Sequence, residues 1–418
     1  MSGSSKVSRR DFLRSGAMTG AAGLAAPYFV PSGVLAAPGR PGANDRVNVG
    51  YIGVGRRGRQ CMGLPKDAQI VAVSDVNIQR CDEVAKGKRW KKYQDYREML
   101  ASKDVDAVVV TTPDHWHAIN SIHACQAGKD VYCEKPMTLT VREGRAMVDA
   151  VRKYKRVFQT GSQQRSMGPC RFGCELIRSG RIGKVHTVHG ANYPSPFDEC
   201  DAPAEPVPDG LNWDMWCGQT QPRPFNAKLY LPRPHPTGWI SYRAYSGGEM
   251  TGWGAHGLDI IQWALGMDES GPVEAWPEGT GRECPVSFRY ANGVVVHLDG
   301  KSSGGGGLFE GEKGKISVVR DKFQTWPEDI GKEPLGDGDV RLYKSDNHLA
   351  NWVECIRTRK RPIADVEIGH RSTTMCHLGN IARWTGRKLR WDPEKETFVG
   401  DDEANGLLER PMRAPYNL

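Results

Sequence analysis

A Gly-x-Gly-x-x-Gly run set directly behind an apolar strand leaves a chain few folds to choose from, and Gly53-Val54-Gly55-Arg56-Arg57-Gly58 is such a run. The segment before it, Val47-Asn48-Val49-Gly50-Tyr51-Ile52, is rich in strand formers and suits a buried parallel strand. The first glycine permits a tight turn, the second lets backbone approach a pyrophosphate, and the third lets a helix pack closely. Free N–H groups at that helix's start suit phosphates. Gly63 and Pro65 predict that the helix is short. An α/β fold opening on a Rossmann dinucleotide-binding domain is the expectation.

Gln69 to Ser74 reads as the next strand, and Asp75 closes it about 20 residues after Gly53, where a carboxylate meets the ribose hydroxyls. That favours NAD over NADP; Arg56 and Arg57, able to tolerate a 2′-phosphate, keep NADP open. Asp106 to Val110 is another strand, and the loop after it, Thr111-Thr112-Pro113-Asp114-His115-Trp116-His117, should face the cofactor. His117 either packs near the nicotinamide or caps the next helix, and His115 reads as surface or as backing the site. Asp130 to Cys133 is a further strand, tipped by Glu134-Lys135-Pro136. A lysine there lies near the redox end of the cofactor, whose positive charge would lower its pKa towards catalytic use.

The glycine loop, Asp75, Thr112-Pro113 with His117, and Glu134-Lys135-Pro136 together resemble the Gfo/Idh/MocA family, named for glucose–fructose oxidoreductase and inositol dehydrogenase. The resemblance covers nearly all of the chain after its leader and is nearest to exported members with a twin-arginine signal. It implies a C-terminal α/β domain built on an open, mostly antiparallel sheet, an NAD(P) cofactor, hydride transfer at a carbinol of a sugar or polyol, and a homo-oligomer. The domains are then a leader over 1–36, a Rossmann domain over 44–161 and a substrate domain over 162–418. Gly53, Gly55, Arg56, Arg57, Gly58, Asp75, Thr112, Pro113, His117, Glu134 and Lys135 form the expected cofactor set.

From Lys184 the pattern changes. Val185 to Gly190 alternates like a half-buried strand, and Val286 to Tyr290 pairs with Val294 to Leu298 around Asn292-Gly293 as a hairpin. Gly304 to Gly307 reads as a flexible turn. Between Asn192 and Gly248 runs a long proline- and aromatic-rich stretch without periodicity, and long irregular segments in compact domains are usually functional. Tyr193, Trp213, Arg243 and Tyr245 in it are candidate substrate residues, because aromatic faces suit sugar C–H faces and arginine suits hydroxyl or carboxylate groups. His256, at the start of an amphipathic helix, matches the family's catalytic histidine, and with Lys135 makes the candidate catalytic pair. A neutral imidazole can take a hydroxyl proton. The family places an aspartate four residues before this histidine, and here that position is Gly252. Asp259 is the candidate substitute and a further substrate residue, with Tyr193 and Tyr245 available for a proton relay.

Ser8-Arg9-Arg10-Asp11-Phe12-Leu13 reads as a twin-arginine export signal, followed by a small-residue apolar stretch, Ala17 to Val30, too broken to span a bilayer. Cleavage after Ala36, passage through the twin-arginine translocase and a periplasmic or extracytoplasmic location follow as expectations. That route carries folded proteins, so a cofactor can be loaded first. Part of the +8 net charge sits in this leader, and the run Lys86 to Lys92 reads as a solvated loop, so no nucleic-acid partner is expected. The 39% hydrophobic and 25% charged composition argues against disorder. Eleven cysteines without Cys-x-x-Cys suit folding in a reducing compartment, and no metal site is expected. Three readings stand: an NAD(P)-dependent sugar or glycoside oxidoreductase, a redox-neutral glycoside-cleaving enzyme working through a keto-sugar, and a sugar-binding protein that keeps its cofactor as a structural part.

Overall fold

The computed structural model describes Gly42 and residues 45–231 and 238–417. The arginine pair, the apolar leader stretch and Ala36 lie outside the described residues. Two compact units divide the chain, residues 1–46 and 47–418. Of the first, a turn is described, in which the Gly42 N–H donates to the Asp45 carboxylate at 3.2 Å.

The second unit opens with six parallel strands: β1 (Val47–Ile52), β2 (Ala68–Ser74), β3 (Lys91–Tyr93), β4 (Ala107–Val110), β5 (Asp130–Cys133) and β6 (Phe158–Thr160). Their order, β3-β2-β1-β4-β5-β6, reverses direction beside β1, which is the doubly wound arrangement that opens a crevice at the strands' carboxyl ends. β4 and β5 are buried along their whole length, as parallel strands covered on both faces must be. Helix α1 (Arg56–Gln60) is little more than one turn, as Gly63 and Pro65 require. α2 (His117–Gln126) and α3 (Val141–Lys153) follow, the latter opened by a Thr140–Glu143 capping box. The Lys86 to Lys92 run is surface, with Lys91 and Lys92 paired to Asp104 and Asp82.

A second sheet holds β7 (Val185–Gly190), β8 (Glu274–Pro277), β9 (Val286–Arg289), β10 (Val295–Leu298), β11 (Gly307–Gly311), β12 (Gly314–Val319), β13 (Lys322–Trp326), β14 (Leu389–Asp392) and β15 (Thr397–Phe398). Its order is β13-β12-β11-β7-β10-β9-β8-β14-β15, antiparallel except between β7 and β10. The expected hairpin joins β9 to β10, with Gly293 at φ +91°. Helices α4 (Gly168–Arg178), α5 (Gly254–Leu265) and α7 (Val366–Thr385) pack against it, and Ile261, Phe288, Phe309 and Leu378 join its core. Each such side chain contributes about 1.5–3 kcal/mol by leaving water. Between α5 and α7, α6 (His348–Thr358) returns to the parallel sheet, where Trp352 meets Tyr132 edge-on at 5.8 Å.

One expectation is corrected here, and for His115 the surface alternative is removed. The Gly304 to Gly307 run is packed: the Gly305 N–H donates to Tyr193 OH at 3.1 Å, its carbonyl accepts from Gln164 Nε2 at 2.6 Å, and a Cβ at Gly306 would collide with the Val318 carbonyl. His115 is fully buried, one ring nitrogen against the Trp216 carbonyl. The irregular stretch from Asn192 to Gly248 forms a small core of its own around Cys200, Trp216, Leu229 and Tyr245. It docks beside the end of β2, where Asn212 N–H donates to the Val76 carbonyl and Ile78 N–H to the Gly210 carbonyl. All eleven cysteines are buried and free.

Candidate active site

One cavity of about 750 Å³ lies over the carboxyl ends of the parallel strands and runs to the start of α5. The glycine loop forms its floor. Gly53 has φ +86°, and a Cβ there would lie 2.9 Å from the Thr111 carbonyl. A Cβ at Gly58 would strike the Gly53 carbonyl oxygen, so α1 can seat only on a bare backbone. At Gly55 a Cβ would meet nothing nearer than the Arg80 guanidinium at 3.5 Å, and this is where backbone stands open to the cavity. A pyrophosphate needs such a cradle, so the loop fits a dinucleotide.

Asp75 stands at the tip of β2. Its two oxygens accept from the Val54 and Asn77 N–H groups, each at 2.9 Å, which fixes the carboxylate at the cavity wall. Burial raises its pKa, and Arg80 works against that shift. Arg80 lies 4.6 Å over the Tyr230 ring and also lines the cavity. Arg57 does not serve the ribose end. Its guanidinium reaches across to Glu134 at the tip of β5, 2.7 Å away, leaving Arg56 and Arg80 as the arginines open to a 2′-phosphate.

Thr112 and Pro113 line the cavity at the tip of β4. His117 is the first residue of α2, and its imidazole lies between two carbonyls, Pro136 O at 2.6 Å and Thr112 O at 2.9 Å. Both acceptors require a donor, so both ring nitrogens carry protons. Burial opposes that charge, while Cys133, Asp114 and the Pro136 carbonyl raise the pKa to about 10. His117 therefore clamps the loops after β4 and β5 together while also lining the cavity.

Glu134 is buried, its carboxylate held by Arg57, by Gln163 Nε2 at 2.8 Å and by Tyr132 OH at 3.3 Å. Burial pushes its pKa up, and Arg57 overrides this to bring it below the usual range. Lys135 points the other way, its Nζ donating to the Gly252 carbonyl at 2.8 Å. Its pKa is lowered by burial; Glu134, Asp114 and Glu249 act against that. His256 lines the same end of the cavity, its ring edge-on to Trp253 at 5.3 Å. Burial, then the charges of Lys135 and Arg320, hold its pKa well below that of a free imidazole. It is neutral at pH 7 and can accept a proton.

The five substrate candidates lie elsewhere. Asp259 is buried on α5, gripped by Arg165 through two 2.9 Å hydrogen bonds and by Ser372 Oγ at 2.7 Å. Tyr193 is buried beneath the glycine run, its hydroxyl taken by Gly305. Trp213 stacks on Trp216 at 4.4 Å and donates to the Arg223 carbonyl. Arg243 lies 3.8 Å over Trp384 and pairs with Asp198. Tyr245 is fully buried against His115 and Trp216. All five sit outside the cavity lining: Trp213 and Tyr245 are spent on the core of the irregular stretch, Tyr193 packs into the core of the second sheet, Arg243 lies on Trp384, and Asp259 is held by Arg165.

Residues 47–162 match the model "Oxidoreductase family, NAD-binding Rossmann fold", and residues 190–418 match "Oxidoreductase family, C-terminal alpha/beta domain" of the same family. The chain belongs to the Gfo/Idh/MocA oxidoreductase family. It is 36% identical over 151 residues to inositol 2-dehydrogenase 3 of Saccharopolyspora erythraea, covering 34% of this chain and 45% of that one. With inositol 2-dehydrogenase of Azotobacter vinelandii it is 33% identical over 153 residues, covering 35% and 45%. These matches span just under half the length of the curated relatives. Among solved structures, the WlbA dehydrogenase from Bordetella pertussis, in complex with NADH and UDP-GlcNAcA, overlays with a TM-score of 0.60 at 20% identity, covering 83% of this chain and 99% of that one. The aldose-aldose oxidoreductase from Caulobacter crescentus, complexed with glycerol, gives 0.59 at 19% identity, over 82% and 99%.

In this Gfo/Idh/MocA chain the far cavity wall is made by residues outside the expected site set. Trp216, Tyr230 and Ile240 come from the irregular stretch, and Glu249, Trp253 and Arg320 line the cavity with His256. Arg320 lies 5.6 Å over the half-exposed Trp253 ring. A carboxylate one helical turn before Gly252 was the available signal for Glu249; Arg320 follows a strand in a segment with no motif.

Proposed function

We propose that this chain is an NAD(P)-dependent oxidoreductase that acts on a carbinol of a sugar or glycoside. The observation carrying this reading is that Lys135 and His256 line one end of the same cavity whose floor is the glycine loop and whose wall is Asp75. Gly53, Gly55, Asp75, Thr112 and Pro113 would hold the dinucleotide, with Glu134 fixing Arg57 beneath it. Bound there, a nicotinamide supplies a two-electron acceptor for the carbinol carbon.

The chain's own groups handle the proton. His256, kept neutral by burial and by neighbouring cations, accepts the hydroxyl proton at a ring nitrogen. Lys135, anchored on the Gly252 carbonyl, offers its remaining N–H donors to the same oxygen. Trp253 and Arg320 at the open end suit the face and hydroxyls of a sugar ring. The exported location belongs to this proposal: Ser8-Arg9-Arg10-Asp11-Phe12-Leu13 directs a folded, cofactor-loaded protein to the twin-arginine translocase. It also favours a homo-oligomer by family likeness.

Native mass spectrometry of purified protein should find a retained dinucleotide, and addition of sugars should change its redox state. A protein isolated without any dinucleotide, and unable to take one up, defeats the proposal. Product analysis separates it from glycoside cleavage: an accumulating keto-sugar marks oxidation, and free sugar with no net redox change marks cleavage. Replacing Arg9 and Arg10 by lysine should keep the protein in the cytoplasm; unchanged fractionation removes the export claim.

A further inference from the structure

Gly252 occupies a costly place for a glycine, inside a helical run, and the space it leaves is used. Residues Glu249–Gly252 form one helical turn, Trp253 keeps helical dihedrals at φ −77° and ψ −35°, and α5 continues from Gly254. Glu249, Gly252 and His256 are thus spaced three and four apart on one helical stripe, and all three line the cavity. The stripe reads carboxylate, notch, imidazole. A Cβ at Gly252 would stand 3.2 Å from Glu249 Oε2 and 3.4 Å from Ile240 Cδ1, so the carboxylate lies against the notch. Lys135 Nζ arrives at the same place from the other domain, on the Gly252 carbonyl. The turn before it is set by Gly248 at φ +70°, where a Cβ would strike Pro196 N, so the approach of Glu249 is fixed by backbone.

We propose that Glu249 is a positioning residue of this site: its carboxylate, lodged against the notch at Gly252, acts across that residue on Lys135, whose Nζ is anchored on the Gly252 carbonyl. This rests on reading Lys135 and His256 as the proton-handling pair. Glycine at 252 leaves the carboxylate its room: a Cβ there would press on it at 3.2 Å, and a longer side chain would take its place. Glu249 counteracts the loss of charge that burial imposes on Lys135. Glu134 and Asp114 also face Lys135 and act in the same sense, Arg57 acts against them, and His256 sits across the cavity. Those groups are common to every variant below, and the charge at position 249 is what changes.

The test follows the Lys135 Nζ titration by nitrogen NMR in full-length protein labelled with [15N]lysine, the signal assigned by its loss in Lys135→Arg. Glu249→Gln should move that titration about one pH unit lower, the size expected for losing a nearby opposite charge. Glu249→Ala should do the same, and Glu249→Ala with Gly252→Asp should restore it, since removing the long carboxylate frees the space a shorter one needs. Should Glu249→Gln not fold, Gly252→Leu fills the notch, displaces the carboxylate and should lower the titration in its place. Parental titration in Glu249→Gln, or a double variant that titrates like Glu249→Ala, overturns the proposal. A wild-type protein that oxidises no sugar would defeat the reaction proposed above, yet leave this titration to judge Glu249.

Discussion

The two walls of the cavity are built on different principles. One wall is the row of strand tips after β1, β2, β4 and β5: Gly53, Asp75, Thr112 and Lys135. Parallel strands in one sheet end on one edge, so a residue just past each strand is placed by topology before any side chain packs. The other wall is the irregular stretch, the turn at Glu249 and the head of α5. There the backbone follows no repeat, and which aromatic faces the cavity depends on which ones the stretch needs for its own core.

The largest expected effect tests whether the two walls meet in one reaction. His256→Ala should cut turnover by about 10²–10⁴-fold, the usual contribution of a positioned acid–base group, while dinucleotide occupancy stays as in the parent. Undiminished turnover in that variant would detach α5 from the chemistry. Asp259, three residues along, should behave in the opposite way. Asp259→Ala leaves the fully buried Arg165 without its principal partner, with Asp268 at 2.8 Å remaining, and should cost about 3–5 kcal/mol of stability. Its KM for sugar should not move. A raised KM at unchanged melting temperature would return Asp259 to the substrate wall.

A pH titration sharpens the contrast within a single loop. His115 and His117 are two residues apart, yet burial drives His115 down to about 3 while His117 is raised to about 10. His115 shares its fate with His348 and His377, both lowered to about 4 by burial. Such imidazoles bind protons more readily in the unfolded chain. Their stabilisation is complete above about pH 6.5 and is lost as pH falls, at up to about 1.4 kcal/mol per unit for each group. The contribution of His117 runs the other way: it is present below about 6.5 and disappears as pH rises through about 10. Denaturant melts between pH 5 and 7 should show stability falling with acid. A flat profile would mean that these rings are hydrated in the native state.

Much of the strand-tip wall could be read from sequence for the topological reason just given. The glycine loop, Asp75, Thr112 and the Glu134-Lys135 tip needed only strand recognition and the rule that ligands gather at carboxyl ends. The second domain was legible as a sheet class, because the hairpin at Asn292-Gly293 carries its own local signal. His256 was legible through family likeness and its place at a helix start. Tyr193, Trp213, Arg243, Tyr245 and Asp259 were misassigned because composition says that a segment is rich in ring-binding side chains and is silent on where they turn. Asp259 in particular needs Arg165, 94 residues earlier, and no local pattern announces that pairing. Glu249 was hidden because its role appears only with the empty space at Gly252.

A smaller effect probes the strand-tip wall. Asp75→Ala should weaken NAD binding about tenfold, near 1.4 kcal/mol, and narrow the preference over NADP, since a carboxylate that repels a 2′-phosphate is gone and Arg56 and Arg80 remain. Equal selectivity in parent and variant, read from fluorescence titrations with both cofactors, would strip Asp75 of its ribose role.

An effect of similar size, in stability alone, examines a residue behind the wall that sequence misjudged. Tyr193→Phe removes only the hydroxyl that accepts the Gly305 N–H, in a position where the ring also packs against Gly254 and Gly257. The ring stays and its contacts with α5 stay, but a buried N–H loses its acceptor, at a cost of about 1–3 kcal/mol. If Tyr193 belongs to the packing beneath the glycine run, melting temperature falls while kcat, KM and their pH dependence keep parental values. If it belongs to a proton relay, the opposite pattern appears, with stability held and the pH profile of turnover displaced. The two outcomes share no observable, so one variant decides whether this tyrosine serves the fold or the reaction.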